Sequence, residues 1–543
     1  MRIFTILSFL FLSLSLSAQI NFYDVTPSNI TQTSLQLDWS TSNYGQTEIR
    51  YGLTPALELG AINLGGHTLN HTITLNNLSP ATFYYIQPVH VYQTTVSYGD
   101  VGYYSTRSNS SGEIRAIFNQ SIDPSYSSGT APYIHGSGTS MQNELISMIN
   151  NAKSTIDVAV YNNSLSSVVS ALTAAHNNGV RVRYIANIGT ANTALTPAPA
   201  FPVYYVNSSD HMHHKFFIFD ADSTNSSWVW SGSANLTSNG IFTDYNHAVT
   251  IQDESLAKAY RIEFEEMWGS STASYNTTNA KIGTTKTDNT PHIFNIGGST
   301  VELYFSPSDK VSWKIDDALN TANNDIEFSQ YIFTYNLFKY ELRDRKNAGV
   351  AVHGIIDEIN ASGSDYAWLQ TEGVNVVADN HSAQLHHKYA LVDAGVFNSD
   401  PQVITGSHNW TSAAEFDNDE NTLIIHDATI TNHFLQEFTK RWCEVKNNIS
   451  CQMPFTITGI EETLDNSTTP LNIYPNPAHS HLYIDDIAQA NIRVFHVSGQ
   501  QVYAKEQVDT NLDINVQDWE NGIYLVEVTT AKNRYLQKVM ILH

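Results

Sequence analysis

Two stretches, HMHHKFFIFD (211–220) and LHHKYALVD (385–393), repeat one spacing, H-x-K-x4-D. The first sets out His213, Lys215 and Asp220; the second sets out His386, Lys388 and Asp393. Side chains at i and i+2 of a strand share a face, so each histidine projects beside its own lysine. FFIF and YALV supply the buried strand residues behind them. A second motif follows each stretch: WSGSANLTS carries Gly232, Ser233 and Asn235, and TGSHNWTS carries Gly406, Ser407 and Asn409. Each brings a hydroxyl and an amide towards the same imidazole.

Working outward, everything around these motifs is doubled. STIDVAVY (154–161), a helix ending at Gly179 and VRVRYIA (180–186) precede the first motif. NDIEFSQYIF (324–333), a helix ending at Gly349 and VAVHGIID (350–357) precede the second. Strand, helix, glycine cap and strand predict one βαβ unit in each copy. The copies are offset by 170 residues at Gly179 and Gly349, 173 at His213 and His386, and 174 at Asn235 and Asn409. Each closes on an aromatic helix, RIEFEEMW to Trp268 and LQEFTKRW to Trp442. Phe264 and Trp268, like Phe438 and Trp442, stand at i and i+4 and are expected in the core. The expectation is an α/β domain of two sheet-and-helix halves, 114–280 and 281–450, related by a pseudo-two-fold axis. A monomer is expected, because one chain carries both half-sites.

This equipment suits a phosphate diester. Its anionic oxygens repel nucleophiles, so lysines neutralise charge while hydroxyls and amides orient the oxygens. A neutral imidazole attacks phosphorus, and a second, protonated imidazole gives its proton to the departing alkoxide. In-line displacement needs one imidazole on each side, which two half-sites provide without any metal or cofactor. The spacing of His211, His213 and His214 does not make a zinc site, because neighbours on a strand point to opposite faces.

The two H-x-K-x4-D motifs, each with its GS-x-N, resemble the phospholipase D superfamily over residues 114–445. The resemblance implies His213 as nucleophile and His386 as general acid and base. Lys215, Lys388, Asn235, Asn409, Ser233 and Ser407 are expected on phosphate oxygens, and Asp220 and Asp393 outside the immediate site, orienting strands. Some members carry an acidic residue after GS-x-N that orients the catalytic histidine. Aligning the two copies assigns Glu420 to His386, raising its pKa, and Asn246 to His213, with Asp244 as substitute under a two-residue shift.

The flanks speak of export. MRIFTILSFLFLSLSLSAQ reads as a signal peptide over 1–18. Residues 19–107 alternate with period two and resemble a fibronectin type III β-sandwich, with Trp39 as its buried tryptophan and Leu78, Pro80 and Tyr84 as its corner. RSNSSGE (107–113) and 459–470 read as linkers. LNIYPNPA, VFHVSGQQV and NGIYLVEV within 471–543 resemble a type IX secretion sorting domain, which implies the type IX machinery as partner and a secreted or outer-surface location. Cys443 and Cys451 are expected to form a local disulfide.

Lys and Arg number 27 against 52 Asp and Glu, a net charge of -25 that argues against broad grip on a nucleic-acid backbone. The preferred substrate is a phospholipid headgroup ester, met at a membrane surface, with SQYIFTYNLF (329–338) and TALTPAPAFPVYY (193–205) as an apolar rim. An extracellular metal-independent endonuclease is the alternative, since the same aromatics stack bases. A non-catalytic adhesion role ranks below both, because neither copy has lost a histidine or lysine.

Overall fold

A computed structural model describes residues 20–124, 136–207, 211–396, 399–446 and, towards the C-terminus, 472–475, 478–485, 490–496, 501–508, 511–519, 522–529 and 534–542. The expected signal peptide, the 459–470 linker and Cys451 lie outside the described residues; Cys443 is disulfide-bonded.

Strands β1 (Phe22–Ser28), β2 (Ser34–Gly52), β3 (Gly60–Asn76), β4 (Phe83–Tyr92), β5 (Thr95–Tyr98) and β6 (Gly102–Ser105) pair antiparallel in one six-stranded sheet. Long β2 and β3 let it curl over Leu35, Leu37, Trp39, Ile49, Ile73 and Ile86. Trp39 stacks on His71 with ring centres 5.0 Å apart, and the Tyr84 hydroxyl accepts the Ser79 N–H at 2.9 Å.

The first half of the central domain runs β7 (Ile114–Phe118), α1 (Gly138–Asn151), β8 (Thr155–Val160), α2 (Ser166–Asn177), β9 (Arg181–Asn187), β10 (Val203–Val206), β11 (Lys215–Phe219), β12 (Trp228–Gly232), α3 (Ser238–Phe242), β13 (His247–Ile251) and α4 (Glu254–Trp268). Its sheet order is β10-β9-β8-β11-β12-β13-β7, parallel among the first three strands and antiparallel beyond. The second half runs β14 (Ile293–Ile296), β15 (Ser299–Ser306), α5 (Val311–Asn320), β16 (Asp325–Gln330), α6 (Asn336–Asn347), β17 (Ala351–Ile356), α7 (Tyr366–Thr371), β18 (Asn375–Ala378), β19 (Lys388–Val392), β20 (Gln402–Gly406), α8 (Ser412–Phe416), β21 (Glu420–His426) and α9 (Ala428–Val445). Its order, β18-β17-β16-β19-β20-β21-β15-β14, repeats the first with one strand added at the edge. Gly179 and Gly349 stop α2 and α6 with φ of 94° and 102°, a left-handed turn that a Cβ disfavours.

Both sheets are buried on two faces, which is why their motif strands read as unbroken apolar runs. Phe216 and Ile218 of β11, Tyr389 and Leu391 of β19, and the α4 and α9 residues Phe264, Trp268, Phe438 and Trp442 join one core between the halves. Phe217 and Phe219 point the other way, under α1 and α2, and Ala390 and Val392 under α5 and α6. The interface between halves is therefore interior, and it carries the two histidine motifs at its edge.

At the C-terminus, β22 (Asn472–Tyr474), β23 (His481–Asp485), β24 (Ala490–His496), β25 (Gln501–Val508), β26 (Leu512–Asn515), β27 (Gly522–Thr529) and β28 (Arg534–Ile541) form sheets of three and four strands around a separate core that includes Leu482, Ile492, Val494 and Val526.

Candidate active site

His213 and His386 stand two residues before their lysines, at the mouths of β11 and β19. Each segment is stitched to the other half. Met212 bridges Asp419, the His213 N–H donates to the Asp419 carbonyl at 3.0 Å, and the Asp419 N–H donates to the His211 carbonyl at 2.9 Å. In mirror fashion Leu385 bridges Tyr245, the His386 N–H donates to Tyr245 at 2.9 Å, and the Tyr245 N–H donates to Gln384 at 2.8 Å. The residue following each stitch then faces the opposite imidazole. His213 Nδ1 lies 2.8 and 2.9 Å from the two carboxylate oxygens of Glu420, and His386 Nδ1 lies 3.0 Å from Asn246 Oδ1.

This overturns the assignment made within each copy, which gave Glu420 to His386 and Asn246 to His213. Alignment shows which residue follows GS-x-N; the crossed bridges decide which imidazole it meets. Asp244 also belongs with the second motif, because its carboxylate accepts the Gln384 N–H. Asn246 Nδ2 donates to the Gly240 carbonyl at 2.9 Å, so its Oδ1 is an acceptor. Both imidazoles therefore carry a proton on Nδ1, and in the neutral form each has its lone pair on Nε2.

The GS-x-N serines take a different place from the phosphate-binding one expected. Ser233 is fully buried; its hydroxyl donates to Asn246 Oδ1 at 2.8 Å and accepts the His247 N–H at 3.1 Å. Ser407 is equally buried, bonded to Glu420 and accepting the Asn421 N–H at 3.1 Å. Each serine ends its strand facing the next one and braces the residue that orients an imidazole. Asn235 and Asn409 are half-buried, and their Oδ1 atoms meet no hydrogen-bond partner among the described residues.

Lys215 and Lys388 donate to the carbonyls of His213 and His386 at 2.7 and 2.9 Å. Asp220 and Asp393 sit beyond the far ends of β11 and β19, five residues and roughly 16 Å along the strand from the lysines. Both hold positive φ, 46° and 52°. Asp220 accepts the N–H groups of Lys153, Ser154 and Thr155, and Asp393 those of Asn323, Asn324 and Asp325, fixing the entries to β8 and β16.

Burial pushes both imidazoles well below the usual histidine range, and the lysine charges push further: Lys215 then Lys388 on His213, Lys388 then Lys215 on His386. Neither is raised, contrary to the rise expected for His386. Each imidazole thus feels the ammonium groups of both halves. Burial brings Lys215 down to about 7 against the pull of Glu420. Lys388 is lowered well below its ordinary value by burial and then by the Lys215 charge. Two buried ammonium groups, Lys388 lowered further by the charge of Lys215, suit a site that takes an anion.

The sequence does not single out Tyr161, and it marks Tyr331 only as part of the aromatic 329–338 rim. Tyr161 follows β8 with its ring 4.9 Å from that of His213, and Tyr331 follows β16 with its ring 4.9 Å from that of His386. Their 170-residue spacing matches that of the βαβ units, the one signal that marks them. Below the catalytic pair, His387 Nδ1 meets His247 Nδ1 at 3.0 Å and His387 Nε2 meets Glu437 at 3.1 Å, while His214 Nε2 meets Glu263 at 3.0 Å. These second histidines fasten the motif strands to α4 and α9.

With this geometry in place, comparisons with known proteins give consistent matches. Residues 145–268 and 315–442 match the family described as cardiolipin synthase, PLD-like domain, and residues 472–542 match the secretion system C-terminal sorting domain. A phospholipase D of Rickettsia bellii is 30% identical over 152 residues, 28% of this chain and 73% of its own length. The mitochondrial cardiolipin hydrolase of Xenopus tropicalis is 43% identical over 98 residues, 18% of this chain and 44% of that protein. The chain spans about half the length of the cardiolipin hydrolases it matches. Among solved structures, the phospholipase D family member Nuc from Salmonella typhimurium is 29% identical, covering 26% of this chain and 94% of its own, with a TM-score of 0.24. The C-terminal sorting domain directs the chain to the cell exterior or surface by type IX secretion.

Proposed function

Because the chain belongs to the phospholipase D superfamily, we propose that it is an exported phosphodiesterase that hydrolyses a phospholipid headgroup ester through a phosphohistidine. The crossed pairing carries the reading: Glu420 on His213 Nδ1, Asn246 on His386 Nδ1, and two buried lysines around both. A carboxylate accepting the Nδ1 proton pushes electron density to Nε2, which makes His213 the better nucleophile. An amide carbonyl orients His386 without strengthening it as a base, which leaves its imidazolium the better acid. His213 therefore keeps the nucleophile's role, with a carboxylate rather than an amide behind it.

The diester's charge offsets the two ammonium groups and lets His386 hold a second proton. His213 Nε2 forms a bond to phosphorus as the bond to the leaving alcohol breaks, and His386 Nε2–H protonates that oxygen. Neutral His386 then takes a proton from water as the water attacks phosphorus, and the N–P electron pair returns to His213. Lys215 and Lys388, with the amides of Asn235 and Asn409, hold the phosphate oxygens; Ser233 and Ser407 act through Asn246 and Glu420. Residues 114–445 carry this chemistry, 19–107 serve as an exported β module, and 471–543 serve as the sorting domain. The net charge of -25 favours a lipid surface over a nucleic-acid backbone as the source of the diester.

The test is mature protein incubated with phosphatidylcholine vesicles and, separately, plasmid DNA. Choline release that disappears in His213→Asn is expected. Plasmid nicking without choline release replaces lipid by nucleic acid, and cleavage of either by a His213→Asn, His386→Asn double variant rejects the site.

A further inference from the structure

The two half-sites share one scheme of bridges but differ in the cation that holds it. Asp419 carries the bridge in front of His213, and Tyr245, 174 positions earlier, carries the one in front of His386. In the second half the cation comes from that half's own helix. The Arg441 guanidinium of α9 lies 4.7 Å from the centre of the Tyr245 ring and 3.1 Å from Glu437, the carboxylate that meets His387. The place of Arg441 in α4 is taken by Met267, which is buried and carries no charge.

The first half takes its cation from the 269–292 segment that joins the halves. That segment is laid along α4: Lys281 pairs with Glu266 at 2.8 Å, a single turn at Gly283–Thr285 follows, and Lys286 then enters the core. The Lys286 ammonium donates to Glu263, the carboxylate that meets His214, and lies 3.1 Å from Asp419 Oδ1. The Gly283 N–H donates to the same Asp419 oxygen at 2.8 Å. Burial opposes the Lys286 charge, but Glu263 and then Asp419 hold its pKa above the ordinary lysine value. The Asp419 backbone in turn accepts the His213 N–H and donates to the His211 carbonyl, and the next residue, Glu420, meets His213 Nδ1. Lys286 thus grips the segment that aims the carboxylate and, through Glu263, the histidine beside the nucleophile. A shift of about 1 Å in such a support is enough to cost a reaction ~10²-fold.

We propose that Lys286 is a positioning residue for the nucleophile, which makes the segment joining the halves part of the catalytic machinery: it presets Glu420 on His213. The inference rests on the phosphodiesterase reading with His213 as nucleophile, and it deepens that reading. It also gives a physical source for the inequality of two repeated half-sites, because the segment occurs once and serves one histidine.

The experiment uses bis(p-nitrophenyl) phosphate, which isolates the nucleophile's side because p-nitrophenolate departs without a proton from His386. Lys286→Met strands two buried carboxylates. It is therefore measured together with the neutral set Lys286→Met, Glu263→Gln, Asp419→Asn, which retains an acceptor for the Gly283 N–H. The expected result is a kcat about tenfold lower with KM unchanged, since Lys215 and Lys388 remain. Adding Glu420→Gln to either background should cost little more, because both changes remove the same support. Adding Asn246→Ala should multiply in its full cost on phosphatidylcholine vesicles. A Glu420→Gln loss that multiplies in full shows that Lys286 serves stability alone and overturns the inference. Wild-type kcat in the neutral set overturns it too, while the phosphodiesterase reading survives. Wild-type protein inert on the soluble diester, on phosphatidylcholine and on plasmid rejects that reading, and the inference falls with it.

Discussion

His213 and His386 are chemically the same residue in nearly the same sequence, and their Nδ1 partners differ. The roles follow from that difference, and so does a test. Glu420→Gln removes the carboxylate behind the nucleophile and is expected to lower kcat by ~10²-fold on any leaving group. Asn246→Ala disturbs the proton donor alone, so its cost should be large for choline and vanish for p-nitrophenol, which departs without a proton. Equal sensitivity of both variants to the leaving group would reverse the roles. Lys215 supplies a pH signature. Its ammonium, brought down to about 7 by burial, is lost from the free enzyme as pH rises through that value. kcat/KM for an anionic diester should fall on the alkaline side of about pH 7. Lys215→Arg, which cannot deprotonate, should lose that limb even at a lower plateau; an unchanged limb assigns it to another group. At this scale the sequence revealed which residues gather but not how they pair. Spacing brings His, Lys and Asn to one place, and it sets Asp220 and Asp393 apart as strand anchors. It cannot report a bridge such as Met212 to Asp419, made between residues 207 positions apart, and so it exchanged Glu420 with Asn246.

At the scale of strands and helices, the repeat was legible because burial on both faces leaves a mark that survives divergence. FFIF and YALV stay apolar, Gly179 and Gly349 stay glycine, and Phe-x3-Trp recurs on α4 and α9. What diverged is polar and buried, where one ion pair can replace another. On β8 and β9 the first half buries Asp157 against Arg183, with oxygens 2.6 and 2.7 Å from the guanidinium. The matching places on β16 and β17 hold Glu327 and His353, 3.6 Å apart, with Asp325 beside them. Burial lowers His353 to about 4, so its imidazole carries no charge at neutral pH. Burial first, and the neighbouring carboxyl second, push Asp325 up to about 9; burial brings Glu327 to about 8. Folded carboxyls then hold protons that the unfolded chain gives up near pH ~4. The stability so gained is complete below that pH and is lost as pH climbs towards the folded values. Thermal unfolding followed by circular dichroism should show a midpoint falling by several degrees between about pH 5 and about pH 9. Glu327→Gln, which needs no proton to stay neutral, should flatten the profile; a wild-type midpoint constant over this range would contradict the raised carboxyl values.

For the whole molecule, the two flanking β regions stand in different relations to the catalytic body, a difference that strand patterning does not encode. Both read there as polar-linked modules of alternating strands. In the structure the N-terminal region is docked. Lys258 of α4 donates to the Ala81 carbonyl at 2.9 Å, Ser255 to Thr106 at 3.1 Å, and Asn295 of β14 to Ile30 at 3.1 Å. Phe83 packs on the core shared by the two halves, and Ile293 packs on the core of the β region in return. The contact reaches α4, the helix whose Glu263 holds His214 next to the nucleophile. The C-terminal region instead closes on residues of its own. Deleting 20–107 should therefore lower the unfolding midpoint of the catalytic body by several degrees and reduce kcat, because α4 loses its outer support. Deleting 459–543 should leave kcat/KM and midpoint unchanged while stopping export. Measuring both truncations on protein made in the cytoplasm separates catalysis from secretion. If loss of the C-terminal region impairs kcat and loss of the N-terminal region does not, α4 draws no support from its neighbour and the docked contacts are only an attachment.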